Sequence, residues 1–153
     1  MEIRKVVLMR PGREGRIFGK APASPYTLMR LASLVPDDID VEIWNEDWEY
    51  LDNKIRTLGK HDLIVITSKT LAVETAERYA NIAHQAGVQT VLAMGYSVTV
   101  SAAALMMQTL YRQLFQQHDL SAAIRHARLA LFNQKARRAY YNVQIDLEDW
   151  ALP

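Results

Sequence analysis

The sequence contains no cysteine. This absence excludes disulfide bonds, thiolate metal ligands and a cysteine nucleophile, and it is compatible with a reducing cytoplasm. No apolar run approaches the roughly 18 residues that a membrane span requires, and the N-terminus lacks the apolar core of a signal peptide. We therefore expect a cytoplasmic protein that has no membrane partner.

Charge of either sign is not in excess, because 18 Lys and Arg stand against 17 Asp and Glu. The net charge of +1 argues neither for nor against nucleic acid, and we do not expect a nucleic-acid partner. Hydrophobic residues make up 50% of the 153 residues, which indicates a packed core rather than a disordered chain. We expect a single α/β domain over residues 1–153.

The central stretch, His61–Ser97, predicts a strand, a helix and a second strand. Leu63–Ile66 is a short, mostly β-branched run typical of a buried strand. Leu71–Ala86 has apolar residues at helical spacing and stops at Gly87, and Val88–Met94 forms the second strand. The three elements make a right-handed βαβ unit. Five side chains of its strands should be nearly fully buried: Ile64, Val65, Ile66, Val91 and Leu92.

The N-terminal half shows the same alternation. We predict strands at Ile3–Met9 and Asp40–Trp44, and helices at Ser24–Val35 and Leu51–Leu58. The order β-α-β-α-β-α-β predicts a three-layer α/β fold of the flavodoxin-like or Rossmann-like kind. Its parallel sheet should have the strand order 2-1-3-4 with flanking helices.

The C-terminal third predicts a helical hairpin. Val100–Gln116 has its apolar residues on one face, and Asp119 or Ser121 caps the next helix. Tyr140–Ile145 predicts a last short strand or extended segment. The end of the second helix is basic, with five cations: Arg125, Arg128, Lys135, Arg137 and Arg138. These cations either bind a polyanion or acidic partner, or complement the helix dipole, and we favour the second interpretation.

Ligands of open parallel sheets bind at the carboxyl ends of the strands. Six residues at or beside these ends are candidates for ligand binding: Gly12, Arg13, Ser68, Thr70, Gly95 and Ser97. Small residues and helix N-termini there predict a site for a small anionic or amide-bearing ligand. The long loop Arg10–Ala23 is either a basic lip over this ligand or a solvated loop. The acidic segment Glu46–Glu49 either reaches a ligand or lies at a helix N-terminus, as such residues more often do.

A catalytic role is not expected. Gly95–Thr99 follows a strand and precedes a helix, as a hydrolase nucleophile elbow does, but its fifth residue is Thr instead of Gly. No histidine has an evident acid partner at a strand end, so Ser97 is better explained as a helix cap or phosphate donor. The histidines are scattered along the chain, and we predict no metal site.

Four segments of the N-terminal part match a known pattern: Ala23–Leu28, Val41–Glu46, Asp62–Thr70 and Ala76–Ala80. Through them residues 3–94 resemble the cobalamin-binding domain that precedes radical-SAM enzymes. The resemblance implies a corrin held against strand ends and helix N-termini, with cobalamin as the cofactor. One departure is that the D-x-H-x-x-G motif, whose His ligates cobalt in many cobalamin proteins, is absent, because His61 precedes Asp62.

Four later segments match a different pattern: Val91–Val98, Leu110–Leu114, Leu120–Arg125 and Asp146–Pro153. From about Val91, and over residues 95–153, the chain resembles the end of a caspase-like CHAT domain. In that family the catalytic His and Cys lie upstream of this segment and a further strand follows it. Since this chain has no Cys, the resemblance implies no peptidase activity.

These observations leave three hypotheses. The first is a non-catalytic domain that binds a corrin or another anionic ligand at the carboxyl edge of the sheet. The second is a catalytically dead caspase-like module that binds a protein partner. The third is a natural or engineered hybrid with no function beyond folding, since two parallel-sheet families joined in a shared strand would keep their register.

Overall fold

The computed structural model describes residues 2–12, 25–46, 49–68, 72–94, 99–117, 119–138 and 143–148. The chain divides into two compact units, one of Ile3–Ser97 and one of Met1–Glu2 with Val98–Pro153. The first unit contains β1 (Lys5–Arg10), α1 (Tyr26–Ala32), β2 (Asp40–Asn45), α2 (Asp52–Ile55), β3 (Asp62–Thr67), α3 (Val73–Gln85) and β4 (Thr90–Met94). The second contains α4 (Val100–Gln117), α5 (Leu120–Asn133), β5 (Ala136–Arg138) and β6 (Gln144–Asp146).

The sheet of the first unit has the order β2-β1-β3-β4, and each neighbouring pair is parallel. Val7 of β1 lies opposite Glu42 of β2 on one side and Ile64 of β3 on the other. The predicted strand order is therefore confirmed. All four carboxyl ends point to the same edge, which is the edge where the candidate ligand residues were placed.

Helices cover both faces of this sheet. One buried cluster contains four side chains of β1 and β3: Val7, Met9, Ile64 and Ile66. Its remaining members come from β2, α2, α3 and the segments beside these helices: Trp44, Leu51, Ile55, Leu58, Ala76, Tyr79, Ala83 and Val88. The alternate residues of β1 and β3 point to the opposite face, where α1 contacts β1 and β2. The first unit is thus a three-layer α/β fold, as the sequence predicts.

One part of the predicted core is wrong. Ile64, Val65 and Ile66 are fully buried, but Val91 and Leu92 are only half-buried. β4 lies at the edge of the sheet, where the covering layers protect a strand less completely than they protect β1 or β3. A β-branched run shows that a strand has apolar faces, but it does not show how close to the edge that strand lies.

The helix boundaries follow local chemistry. Gly87 ends α3 with φ of 95°, a conformation that glycine adopts without strain, and the Val88 N–H then donates to the Ala83 carbonyl at 3.0 Å. Asp119 caps α5 by accepting hydrogen bonds from the N–H groups of Ser121 and Ala122. The sequence predicted the stop at Gly87, and of the two candidate caps, Asp119 and Ser121, the structure selects Asp119. α2 is one turn long, shorter than the predicted Leu51–Leu58.

α1 also departs from the expected helix. It begins after Pro25, which takes the cap position expected for Ser24, and Ser24 itself lies outside the described residues. At its other end α1 stops at Ala32, and two tighter turns carry the chain to the predicted end at Val35.

In the second unit α4 and α5 pack against each other. As the helical spacing predicts, apolar side chains of both helices are buried, among them Ala103, Met107, Leu110, Leu114, Ala123, Ala127 and Leu131. Met106 and Ala130 are half-buried instead. β5 and β6 form an antiparallel pair, and β5 was not predicted. None of the helices in the described ranges has the length and apolarity needed to cross a bilayer.

Ile66→Ala should lower the free energy of unfolding by roughly 2–5 kcal/mol, because the fully buried side chain would leave a cavity. Ile43→Ala on β2 is the matched control, since Ile43 is only half-buried and its loss should cost less. Urea denaturation of both variants measures the difference. A loss below about 0.5 kcal/mol for Ile66→Ala would contradict the assignment of β3 to the core.

Candidate functional site

The carboxyl edge of the sheet holds the two predicted ligand residues that the structure describes. Gly12 follows β1 and Ser68 follows β3, and these strands are neighbours, so both residues lie at the expected edge. The other four, Arg13, Thr70, Gly95 and Ser97, lie outside the described residues. Binding of an anionic ligand at this edge stays a prediction.

Glu46, directly after β2, joins several described polar groups of this edge. Its Oε2 accepts a hydrogen bond from the Gly12 N–H at 2.6 Å, and its Oε1 accepts one from the Tyr79 hydroxyl at 2.6 Å. The side chain is 20% exposed, so both bonds are partly shielded from water. One carboxylate thereby joins the segment after β1 to the middle of α3.

A cation and a second acid complete this group. The Arg78 Nη2 lies 3.9 Å from Glu46 Oε1, and the Arg78 Nη1 pairs with the carboxylate of Asp52. The Arg78 guanidinium also lies over the Tyr79 ring, with its carbon 4.5 Å from the ring centroid. We refer to Gly12, Glu46, Asp52, Arg78 and Tyr79 as the Glu46 cluster.

The Tyr79 hydroxyl is held in its protonated form. Burial raises the pKa of Tyr79 well above its ordinary value of 10.0, and the hydrogen bond to the Glu46 carboxylate raises it further. Arg78 acts in the opposite direction but is outweighed. Tyr79 is therefore a permanent hydrogen-bond donor at physiological pH and cannot serve as a general base.

The hydrogen bond between Gly12 and Glu46 affects whether an anionic ligand can bind at this edge. The Gly12 N–H is the kind of backbone donor that would receive an anion, and here it is already bonded to a carboxylate. A Cβ atom at Gly12 would lie 3.4 Å from the side chain of Glu46, so this glycine permits a close approach. An external anion at this donor would have to displace Glu46.

Sequence reasoning did not identify the role of Glu46. We expected the acidic segment Glu46–Glu49 to reach a ligand or to lie at a helix N-terminus, but Glu46 bonds to Gly12 and Tyr79, and Glu49 pairs with Lys54 at 3.0 Å. Asp47 and Trp48 lie outside the described residues. The partners of Glu46 are 33 and 34 residues away along the chain, so no local pattern indicates them.

The alternative polyanion site at the basic end of α5 is weakened by the structure. The Arg137 side chain is 2% exposed, and its guanidinium donates to the backbone carbonyls of Gln134 and Ala136. Lys135 pairs with Glu148 at 3.1 Å. Lys135 and Arg137 thus have structural partners, and Arg125 and Arg128 are exposed on the helix itself.

In the described ranges, no group of three or more His, Asp and Glu side chains is placed to hold a metal ion. His126 is exposed on α5, with its Nδ1 2.9 Å from the Ala122 carbonyl. His118 lies outside the described residues.

The sequence of the chain matches one known protein family. The CHAT domain family matches residues 66–152, which is more than half of the sequence. No curated protein and no solved structure gives a significant match. The caspase-like class expected for the C-terminal part is confirmed, and the chain belongs to the CHAT domain family.

The match begins earlier than the sequence suggested. It starts at Ile66 in β3 rather than near Val91, so it covers α3 and β4 as well as the helical hairpin. Ala76–Ala80, one of the segments that resembles a cobalamin-binding domain, lies inside it. The cobalamin resemblance and the hybrid hypothesis are not confirmed.

Tyr79→Phe should lower the free energy of unfolding by about 1–3 kcal/mol, because it removes a partly buried hydrogen bond to a carboxylate. Tyr111→Phe on α4 is a matched control, since both tyrosines are 1% exposed and the Tyr111 hydroxyl has no hydrogen-bond partner in the described structure. Its loss should change stability by less than about 0.5 kcal/mol or increase it. Chemical denaturation followed by circular dichroism measures both. Equal losses for the two variants would contradict a structural role of the Glu46–Tyr79 bond.

The two tyrosines should also affect stability at alkaline pH. Burial raises the pKa of both above 10.0, so the unfolded chain ionises first and stability falls as the pH rises above about 10. Tyr111→Phe should therefore make the loss of stability between neutral and alkaline pH shallower than in the wild type. Denaturant melts between pH 8 and pH 11 test this, and an unchanged alkaline slope would contradict it.

Proposed function

We propose that this chain is a catalytically inactive CHAT domain that acts by binding a protein partner. The observation that carries the proposal is that a chain of a caspase-like family contains no cysteine. Cysteine peptidases need a thiolate nucleophile, and the chain itself supplies none.

The described chemistry at the sheet edge supports the same conclusion. The Glu46 cluster offers two carboxylates, a guanidinium and a protonated tyrosine, with Glu46 bonded to Tyr79 and Arg78 paired with both acids. None of these groups is an activated nucleophile, and Tyr79 cannot accept a proton near neutral pH. The cluster is suited to hold β1, β2 and α3 together rather than to carry out a reaction.

Binding of a corrin or another small anion at the sheet edge is the less supported alternative. The occupied Gly12 N–H argues against an anion at that point, and cobalt ligation has no motif in the sequence. Addition of cobalamin with measurement of its visible absorbance tests this alternative directly. We expect no spectral change, and a saturable shift would restore the cobalamin hypothesis. A hybrid with no function beyond folding is the remaining possibility, and partner binding distinguishes it from the present proposal.

The purified chain should hydrolyse neither chromogenic esters nor fluorogenic peptides above the rate in buffer. Ser97→Ala is the informative variant, because Ser97 is the residue whose sequence context most resembles a hydrolase nucleophile. A rate in the wild-type protein that disappears in Ser97→Ala would overturn the inactive assignment. A rate that persists in the variant would identify a contaminating enzyme and leave the assignment in place.

A further inference from the structure

Helix α5 has a second apolar face besides the one that packs on α4. Its buried face consists of small and branched residues, Ala123, Ala127 and Leu131. On the outside, Leu129 is 53% exposed and Phe132 is 44% exposed. Because residues three apart lie on the same side of a helix, these two side chains share one outer face.

The charged side chains of α4 and α5 have one sign. α4 and α5 together contain three arginines, Arg112, Arg125 and Arg128, and no acidic residue. Arg125 lies seven residues before Phe132 and four before Leu129, so it is on the same outer face of α5 and is exposed. At the end of this face, Glu148 pairs with Lys135. The Lys135 Nζ also lies 4.9 Å from the centroid of the Phe132 ring.

From these observations we infer that the outer face of α5, formed by Arg125, Arg128, Leu129 and Phe132, binds an acidic amphipathic segment of a partner protein. Leu129 and Phe132 would contact the apolar side of that segment, and Arg125 would pair with its carboxylates. This inference rests on the proposed role in partner binding and adds a location and a partner chemistry to it.

The face fits a protein segment better than a membrane or a nucleic acid. Interfacial membrane helices bury a long apolar face, whereas here the apolar part is one helical turn and the opposite side of α5 is covered by protein. Strong nucleic-acid binding requires many phosphate contacts, but Lys135 is paired with Glu148 and Arg137 is buried. One turn with two apolar side chains matches the anchor spacing of a single helix or short peptide.

The test uses the purified chain and a fluorescent synthetic helical peptide, with leucine along one face and glutamate on the others, measured by fluorescence anisotropy. Leu129→Ser should weaken binding by at least about tenfold. Met29→Ser on α1 is the matched control, because Met29 is 52% exposed on a different helix, and its affinity should equal that of the wild type. Circular dichroism confirms that both variants remain folded.

Charge is tested in the same assay. Arg125→Glu should weaken binding and reduce its dependence on salt, whereas Arg56→Glu, at the exposed end of α2, should change neither. A shuffled peptide of the same composition, vesicles of phosphatidylcholine with phosphatidylserine, and single-stranded DNA serve as competing ligands. The inference predicts that the amphipathic peptide binds more tightly than each of them.

Three outcomes would overturn the inference. If the peptide binds but Leu129→Ser and Met29→Ser behave alike, the partner site lies elsewhere, while the proposed function in partner binding stands. If vesicles or DNA bind and the peptide does not, the face has a different class of ligand. If none of them binds, the outer face of α5 does not bind an acidic amphipathic segment. Hydrolytic turnover, measured separately, contradicts only the inactive assignment.

Discussion

The structure of the first unit depends on the complete burial of β1 between two parallel neighbours. Val6, Val7, Leu8 and Met9 have no exposed surface, and β1 is bonded to both β2 and β3. A strand buried on both faces requires a layer of helices on each side, so α1 must cover one face while α2 and α3 cover the other. The same parallel arrangement brings the ends of β1, β2 and β3 to one edge and places Glu46 within reach of Gly12 and Tyr79.

The fold was largely readable from the sequence, because β-branched runs and helical periodicity locate the elements and right-handed crossovers restrict their order. The structural features that the sequence did not predict depend on contacts between residues far apart along the chain. The half-burial of Val91 and Leu92 depends on where the sheet ends, and the bonds of Glu46 join residues more than 30 positions apart. β5 was missed because Ala136–Arg138 has neither the length nor the composition of a strand.

The position of the family match explains why two resemblances were found in one chain. Parallel α/β folds share the pattern of buried strand, polar end and amphipathic helix, so β3 and α3 satisfy the pattern of more than one family. The CHAT domain match, which begins in β3, spans parts of both compact units. The match includes β3, α3 and β4 of the first unit, and Tyr79 of the Glu46 cluster lies inside it.

The bond between Glu46 and the Gly12 N–H has a consequence for selectivity. A side chain held by the fold next to its donor has an effective concentration far above that of any dissolved anion, as a tethered ligand does. The Tyr79 hydrogen bond adds to this advantage by fixing the carboxylate in place. A phosphate or similar anion at the Gly12 N–H would therefore have to compete with this internal carboxylate, and a ligand that supplies further contacts elsewhere would compete most effectively.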